Sequence, residues 1–119
     1  MDAKLEISLL YDFYGELIPA SQQRVIELYV NDDLSLSEVA DILGISRQGV
    51  RDSLSRAEAK LRTYESRLGL RAAYDRRQNA CEAIAADART IRSLCDRDEV
   101  QRLCADILRY TSDLTEREE

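Results

Sequence analysis

Helix breakers are nearly absent from this chain: one proline, Pro19, and four glycines are spread over 119 residues. In a helix interior, glycine costs about 1 kcal/mol and proline about 3 kcal/mol relative to alanine. The stretches between them are rich in Leu, Ala, Arg, Glu, Gln and Lys, so they are free to be helical, and the expected fold class is all-α. A chain of this length makes one small domain rather than two large ones, and it can bury a core without metal or disulfide staples.

The spacing of apolar residues predicts where the helices lie. Ile7, Leu10, Tyr11, Tyr14, Leu17 and Ile18 repeat with a helical period, which predicts a first helix over residues 3–16. Leu5, Leu9 and Phe13 make a second stripe, which predicts a first helix buried on two sides. Pro19 ends it or follows it. Ser21 is the expected N-cap of a second helix over 21–32, with Val25, Leu28 and Tyr29 inward. Asn31-Asp32-Asp33 breaks that helix. The aromatic group Tyr11, Phe13, Tyr14 and Tyr29 reads as core rather than as a stacking platform for bases.

Residues 36–44 are expected to form a short third helix, capped by Ser35 or Ser37. Glu38 stands three residues after Ser35, as in a capping box. Gly44 suits the left-handed residue that ends such a helix, and Ser46 can cap a fourth helix running without a breaker to about Arg67. Residues 70–112 read as one or two further helices. Tyr74, Ile84, Ala88, Ile91 and Leu94 form a sparse stripe there, and Val100, Leu103, Cys104, Ile107 and Leu108 a denser one. Asp96 or Asp98 is the expected cap of the last helix, and Thr115 to Glu119 are expected to fray.

The stretch 36–54 has the pattern of a helix-turn-helix. Two helices meeting over a short turn need a small residue where their axes approach, which Ala40 supplies, and a residue tolerant of positive φ, which Gly44 supplies. Val39, Leu43, Ile45, Val50 and Leu54 then face the shared core, and Ala57 and Leu61 continue the inward face of the fourth helix. Its opposite face carries Gln48, Asp52, Ser55 and Arg62, flanked by Arg47 and Arg51. Arginine can read guanine and glutamine adenine, each through two hydrogen bonds, and the start of a recognition helix is where base contacts concentrate. Ser46 and the helix start suit a phosphate oxygen. Arg56, Lys60 and Arg67 suit backbone phosphates, which position a protein without specifying sequence. Gly49 weakens the recognition helix or admits a close approach of backbone.

Charge agrees in distribution though not in sum. The net charge is −6, the wrong sign for a protein that coats nucleic acid without preference. Residues 1–44 carry two basic and nine acidic side chains, residues 68–119 nine and eleven, and only residues 45–67 are net positive, with six against three. The expected organisation is a helix-turn-helix domain over 1–68 and a C-terminal helical extension over 69–119 suited to oligomerisation.

Catalysis has little support. There is no histidine, and no glycine-rich phosphate loop follows a strand. Cys81, Cys95 and Cys104 lack metal-ligand spacing and read as reduced, buried thiols of a cytoplasmic protein without a signal peptide. No apolar run approaches the ~18–20 residues that span a bilayer. No enzyme activity and no cofactor are expected.

Several blocks also resemble a known family. Leu10-Tyr11-Asp12-Phe13-Tyr14-Gly15, Glu27-Leu28-Tyr29, the run Asp33 to Ala40, Ile45-Ser46-Arg47-Gln48-Gly49-Val50 and Arg56-Ala57-Glu58-Ala59-Lys60-Leu61 resemble, in order and spacing, the YlxM family of small bacterial proteins. The resemblance covers roughly residues 1–75. It implies a helical fold like region four of sigma factors and a regulatory or accessory role in the signal recognition particle pathway. It also implies base contacts at Arg47, Gln48, Arg51 and Asp52. The sequence departs from the usual family pattern at Gly49 and Arg51. Two functions are therefore expected: a small regulator that binds DNA as a dimer, or an accessory factor that docks on the signal recognition particle's protein or RNA.

Overall fold

A computed structural model describes residues 3–115, all its regular elements being helical. Helix α1 (Ala3–Tyr14) closes with a 3₁₀ turn (Gly15–Leu17). Helix α2 (Ala20–Ile26) ends in a π-helical turn (Glu27–Asn31). Then follow α3 (Leu36–Leu43), α4 (Arg47–Leu68), α5 (Leu70–Leu94) and α6 (Asp98–Thr115). The chain divides into two compact units, Met1–Arg71 and Ala72–Glu119.

In the first unit α4 is the central post, and α1, α2 and α3 all pack on it. Its N-terminal half brings Val50 into a cluster with Val25, Leu28, Val39 and Ala40. Its C-terminal half brings Ala57 and Leu61 into a second cluster with Ile7, Leu10, Tyr14, Ile18 and Ile26. Leu54, between them, packs on both. Val50, Leu54, Ala57 and Leu61 repeat at helical spacing, so one stripe of α4 serves both clusters. The aromatic group lies in or against these clusters, Tyr14 fully buried and Tyr11, Phe13 and Tyr29 half-buried.

Three expectations for the first two helices are corrected. Leu17, expected inward, is 56% exposed, because the 3₁₀ turn tightens the winding and rotates Leu17 out while Ile18 turns in. The second stripe of α1 is not buried like the first: Leu5 is exposed, and Leu9 and Phe13 are half-buried. Ser21 is not a cap. Pro19, at φ −58°, takes the cap position, and its carbonyl accepts from the N–H groups of Gln22 (2.9 Å) and Gln23 (3.0 Å). The proline ring already holds a helix-compatible φ, so the helix starts two residues earlier than a serine cap predicts.

The junction of α4 and α5 is a closed network. Gly69 ends α4 in the left-handed region, at φ 62°. The next two N–H groups, orphaned at a helix start, find side-chain acceptors: Leu70 donates to the Tyr14 hydroxyl (3.0 Å) and Arg71 to Glu65 Oε1 (3.0 Å). The Tyr14 hydroxyl donates in turn to Glu65 Oε1. Burial first, and then the Glu65 carboxylate, push the Tyr14 hydroxyl above the ordinary tyrosine value.

The second unit is a helical hairpin. Residues 95–97 connect α5 to α6, and the Gln101 side chain donates to the carbonyls of Arg92 (2.8 Å) and Cys95 (2.8 Å) across that connection. Asp98, expected as a cap, is instead helical, and with Glu99 it forms the acidic first turn of α6, where the helix dipole favours negative charge. The stripe expected to pack from α5 is corrected. The buried residues are Cys81, Ala85 and Ala88, whereas Ile84, Ile91 and Leu94 are exposed. On α6, Cys104 and Thr111 are buried and Leu103 is exposed. Cys81 and Cys104 are buried free thiols and Cys95 is half-buried. The fraying expected of the C-terminus falls, beyond Thr115, outside the described residues.

Candidate nucleic-acid interface

The α3–α4 turn is built by local chemistry. Ser35 accepts from the Glu38 N–H (3.1 Å), and Glu38 Oε1 accepts from the Ser35 N–H (3.0 Å), closing a capping box. The Ser35 backbone N–H first, and its hydroxyl second, hold the Glu38 carboxyl below its ordinary range. Gly44, at φ 68°, ends α3, and its N–H reaches the Ala40 carbonyl. The Ile45 N–H also donates to Ala40 (3.1 Å). Ser46 then caps α4, accepting from the Gly49 N–H (2.9 Å). Val39, Ala40 and Val50 are buried where the two helices meet, with Leu43 and Leu54 packed against them. Ile45 departs from expectation. It is 44% exposed, since it lies in the turn and folds beside Gly49 rather than inward. A Cβ placed on Gly49 would stand 3.2 Å from Ser46 Oγ and 3.6 Å from Ile45 Cδ1. The glycine therefore makes room for the cap and for Ile45.

The residues singled out in the sequence fall into two groups on α4. Ser46, Arg47, Gln48, Arg51, Asp52 and Ser55 are all exposed. Helical spacing places Gln48, Asp52 and Ser55 on the side away from Val50, within the first three turns, with Arg51 on the flank and Arg47 beside it, nearer the buried stripe. Arg62 shares that side but lies about 10 Å beyond Ser55 at 1.5 Å per residue, where its Nε donates to Glu58 Oε2 (2.8 Å). Arg56, Lys60 and Arg67 lie on the other flank of the helix, Arg56 and Arg67 exposed and Lys60 half-buried. Among the described residues, Arg47, Arg51, Arg56 and Lys60 form no ion pair. Gln48 Nε2 donates to Asp52 Oδ1 (2.9 Å). Such an exposed pair one turn apart is worth only ~0.2–0.5 kcal/mol, so the Gln48 amide is held in place yet readily released.

Sequence reasoning passed over Ile42, which is 52% exposed on α3. With Ile45 it makes the edge of the turn apolar, and the periodicity of α3 alone would have shown that Ile42 falls off the Val39–Leu43 stripe. Elsewhere in this unit a cleft of about 660 Å³ is lined by Tyr11, Asp12, Phe13, Gly15, Glu16, Leu17 and Gln23. Its carboxylates are those of Asp12 and Glu16, with the Tyr11 ring and the Gln23 amide beside them. Among the described residues no three potential ligands gather to hold a metal ion, and no helix is long and apolar enough to cross a membrane.

Comparison with known proteins agrees with this geometry. A family model described as "Putative helix-turn-helix protein, YlxM / p13 like" matches residues 1–99. A UPF0122 protein of Thermoanaerobacter sp. (strain X514) is 37% identical over 113 residues, covering 95% of this chain and 97% of its own. One from Acetivibrio thermocellus is 42% identical over 91 residues, covering 76% of this chain and 78% of its own. One from Caldanaerobacter subterraneus is 52% identical over 69 residues, covering 58% and 59%. The chain belongs to the UPF0122 family of YlxM/p13-like helix-turn-helix proteins.

Proposed function

We propose that this protein is a small cytoplasmic regulator that binds duplex DNA through α3 and α4, acting by recognition rather than by catalysis. The observation that carries this reading is the exposed face of the first three turns of α4. There Arg47, Gln48, Arg51, Asp52 and Ser55 stand together on the one net-positive stretch of an acidic chain. Arg47 and Arg51 suit the acceptor edge of guanine, Gln48 suits adenine once it leaves Asp52, and Asp52 suits the amino group of cytosine. Arg56 and Lys60, on the other flank, suit phosphates across the groove, with Arg62 farther along the backbone. The Ser46 hydroxyl serves the helix cap as acceptor and keeps its own proton to offer a phosphate. One recognition helix makes few base contacts, so two copies are needed to read a paired site.

A second reading rests on the exposed isoleucines, Ile42 and Ile45, at the edge of the turn, and on the pathway that the family resemblance implies. In it the same fold docks on the signal recognition particle's protein or RNA and reads no DNA. One experiment separates the two. Duplexes selected from a randomised pool, the particle's RNA and its GTPase are titrated against the full chain at low and near-physiological salt. DNA binding that falls steeply with salt and is lost in Arg47→Ala/Arg51→Ala supports the first reading. Selection of no duplex, with binding to the RNA or the GTPase, replaces it with the second.

A further inference from the structure

The α5–α6 hairpin buries its small residues and exposes its large ones. Cys81, Ala85, Ala88, Cys104 and Thr111 are buried, while Ile84, Ile91, Leu94, Leu103, Tyr110 and Leu114 are each about half exposed or more, Leu94 reaching 80%. The two helices lie side by side in opposite directions: Cys81, Ala85 and Arg89 share one crevice with Leu108, Thr111 and Thr115. On α5, Ile84 and Ile91 sit about a quarter turn from the buried stripe. On α6, Leu103, Tyr110 and Leu114 sit about a quarter turn from Cys104 and Thr111, with the same rotational sense. Because the helices run in opposite directions, equal offsets of the same sense bring both stripes to one side of the hairpin. The result is a continuous apolar face made of the residues that an isolated pair of helices can least leave in water.

We propose that this face pairs with the same face of a second copy of the chain, making an antiparallel four-helix bundle in which α5 of each copy lies on α6 of the other. Size and charge both favour that occupant. The 18 residues of α6 give a plate about 27 Å long and about 20 Å wide, on the scale of the roughly 800 Å² per partner that stable dimers bury. From Ala72 onward, α5 carries four arginines against three carboxylates, while α6 carries two arginines against four. A two-fold axis along the helices sets α5 of one copy on α6 of the other, opposite in sign. The alternative axis sets α6 on α6, acidic on acidic, at a cost. Helices then alternate in direction all round the bundle, and large side chains from both hairpins fill the centre. The inference rests on the hairpin alone and is independent of what α4 binds.

The test is the mass of the full chain by light scattering after size exclusion, without nucleic acid, at tens of micromolar. Twice 13.6 kDa is expected. Tyr110→Glu and Ile84→Lys each place a charge on the exposed face, so each is expected to run as a monomer with unchanged helical circular dichroism. Mixed together, the two variants are expected to recover the dimer, because α5 with lysine meets α6 with glutamate while the other pair of helices is unaltered. A wild-type monomer overturns the proposal, as does a dimer indifferent to both charges. Wild-type dimers whose two variants fail to recover on mixing overturn the crossed pairing of α5 with α6.

Discussion

Tyr14 is where a single atom decides most. Its hydroxyl is buried between Glu65 and the first N–H of α5, so Tyr14→Phe leaves that N–H without its acceptor. Leaving a buried polar group unmade costs about 1–3 kcal/mol, and a fall in unfolding free energy of that size, read as a lower denaturant midpoint, is expected, with no change in nucleic-acid binding. Tyr11 carries a pH signature. Burial first, and the hydrogen bond to Glu27 Oε1 (3.1 Å) second, push its hydroxyl from 10.0 to about 12. The folded state holds this proton more tightly than the unfolded state. Its contribution is therefore complete below pH 10 and is lost as pH rises from 10 towards about 12. Alkaline unfolding followed by circular dichroism is expected to shift to lower pH in wild type than in Tyr11→Phe within that window. At the interface, Arg47→Ala and Arg51→Ala are each expected to weaken a selected duplex by about 1–3 kcal/mol. Their melting temperatures should stay within a degree or two of wild type, since both side chains are exposed and unpaired.

At the scale of elements, the turn between α3 and α4 carries the proposed function because it sets where α4 begins. Ser46→Ala removes the acceptor of the Gly49 N–H, at a cost of about 1 kcal/mol. Gly44→Ala meets no atom within 4 Å, so its cost is backbone strain alone, about 1–2 kcal/mol for a side chain held at φ 68°. Both substitutions are expected to lower the melting temperature, and Ser46→Ala to weaken DNA binding as well by fraying the turn that bears Arg47 and Gln48. The capping box adds an acid limb. Glu38 is held below its ordinary range, so its contribution is present above that range and fades as pH falls through the lowered value. Acid titration of Glu38→Gln is expected to show less loss across that interval.

On the scale of the whole molecule, a net charge of −6 works against indiscriminate binding to phosphate. Arg56, Lys60 and Arg62 are the cations assigned to the phosphate backbone, so each copy is expected to release few counterions. The slope of log K against log salt should be about −3 per copy and about −5 for a paired site. A measured slope near zero would remove phosphate contact from the account.

The sequence by itself determined the helices and the turn. Scarcity of glycine and proline, the Ser35–Glu38 spacing, Gly44 and Ser46 act over a few residues, and their hydrogen bonds form where local chemistry allows. The inward stripe of α4 was equally legible, because Val50, Leu54, Ala57 and Leu61 repeat with the helix itself. So was the exposed polar face opposite it. What only the tertiary structure decided is which apolar residues find a partner. Ile45 and Leu17 look like core in a periodic reading, but a turn and a tightened last winding rotate them into water. Ile84, Ile91 and Leu103 fit helical stripes, yet the residues that the hairpin buries are cysteine, alanine and threonine. Periodicity states that a residue lies on an apolar face. Whether that face meets the same chain is settled by the packing of elements distant in sequence, and no local pattern encodes it.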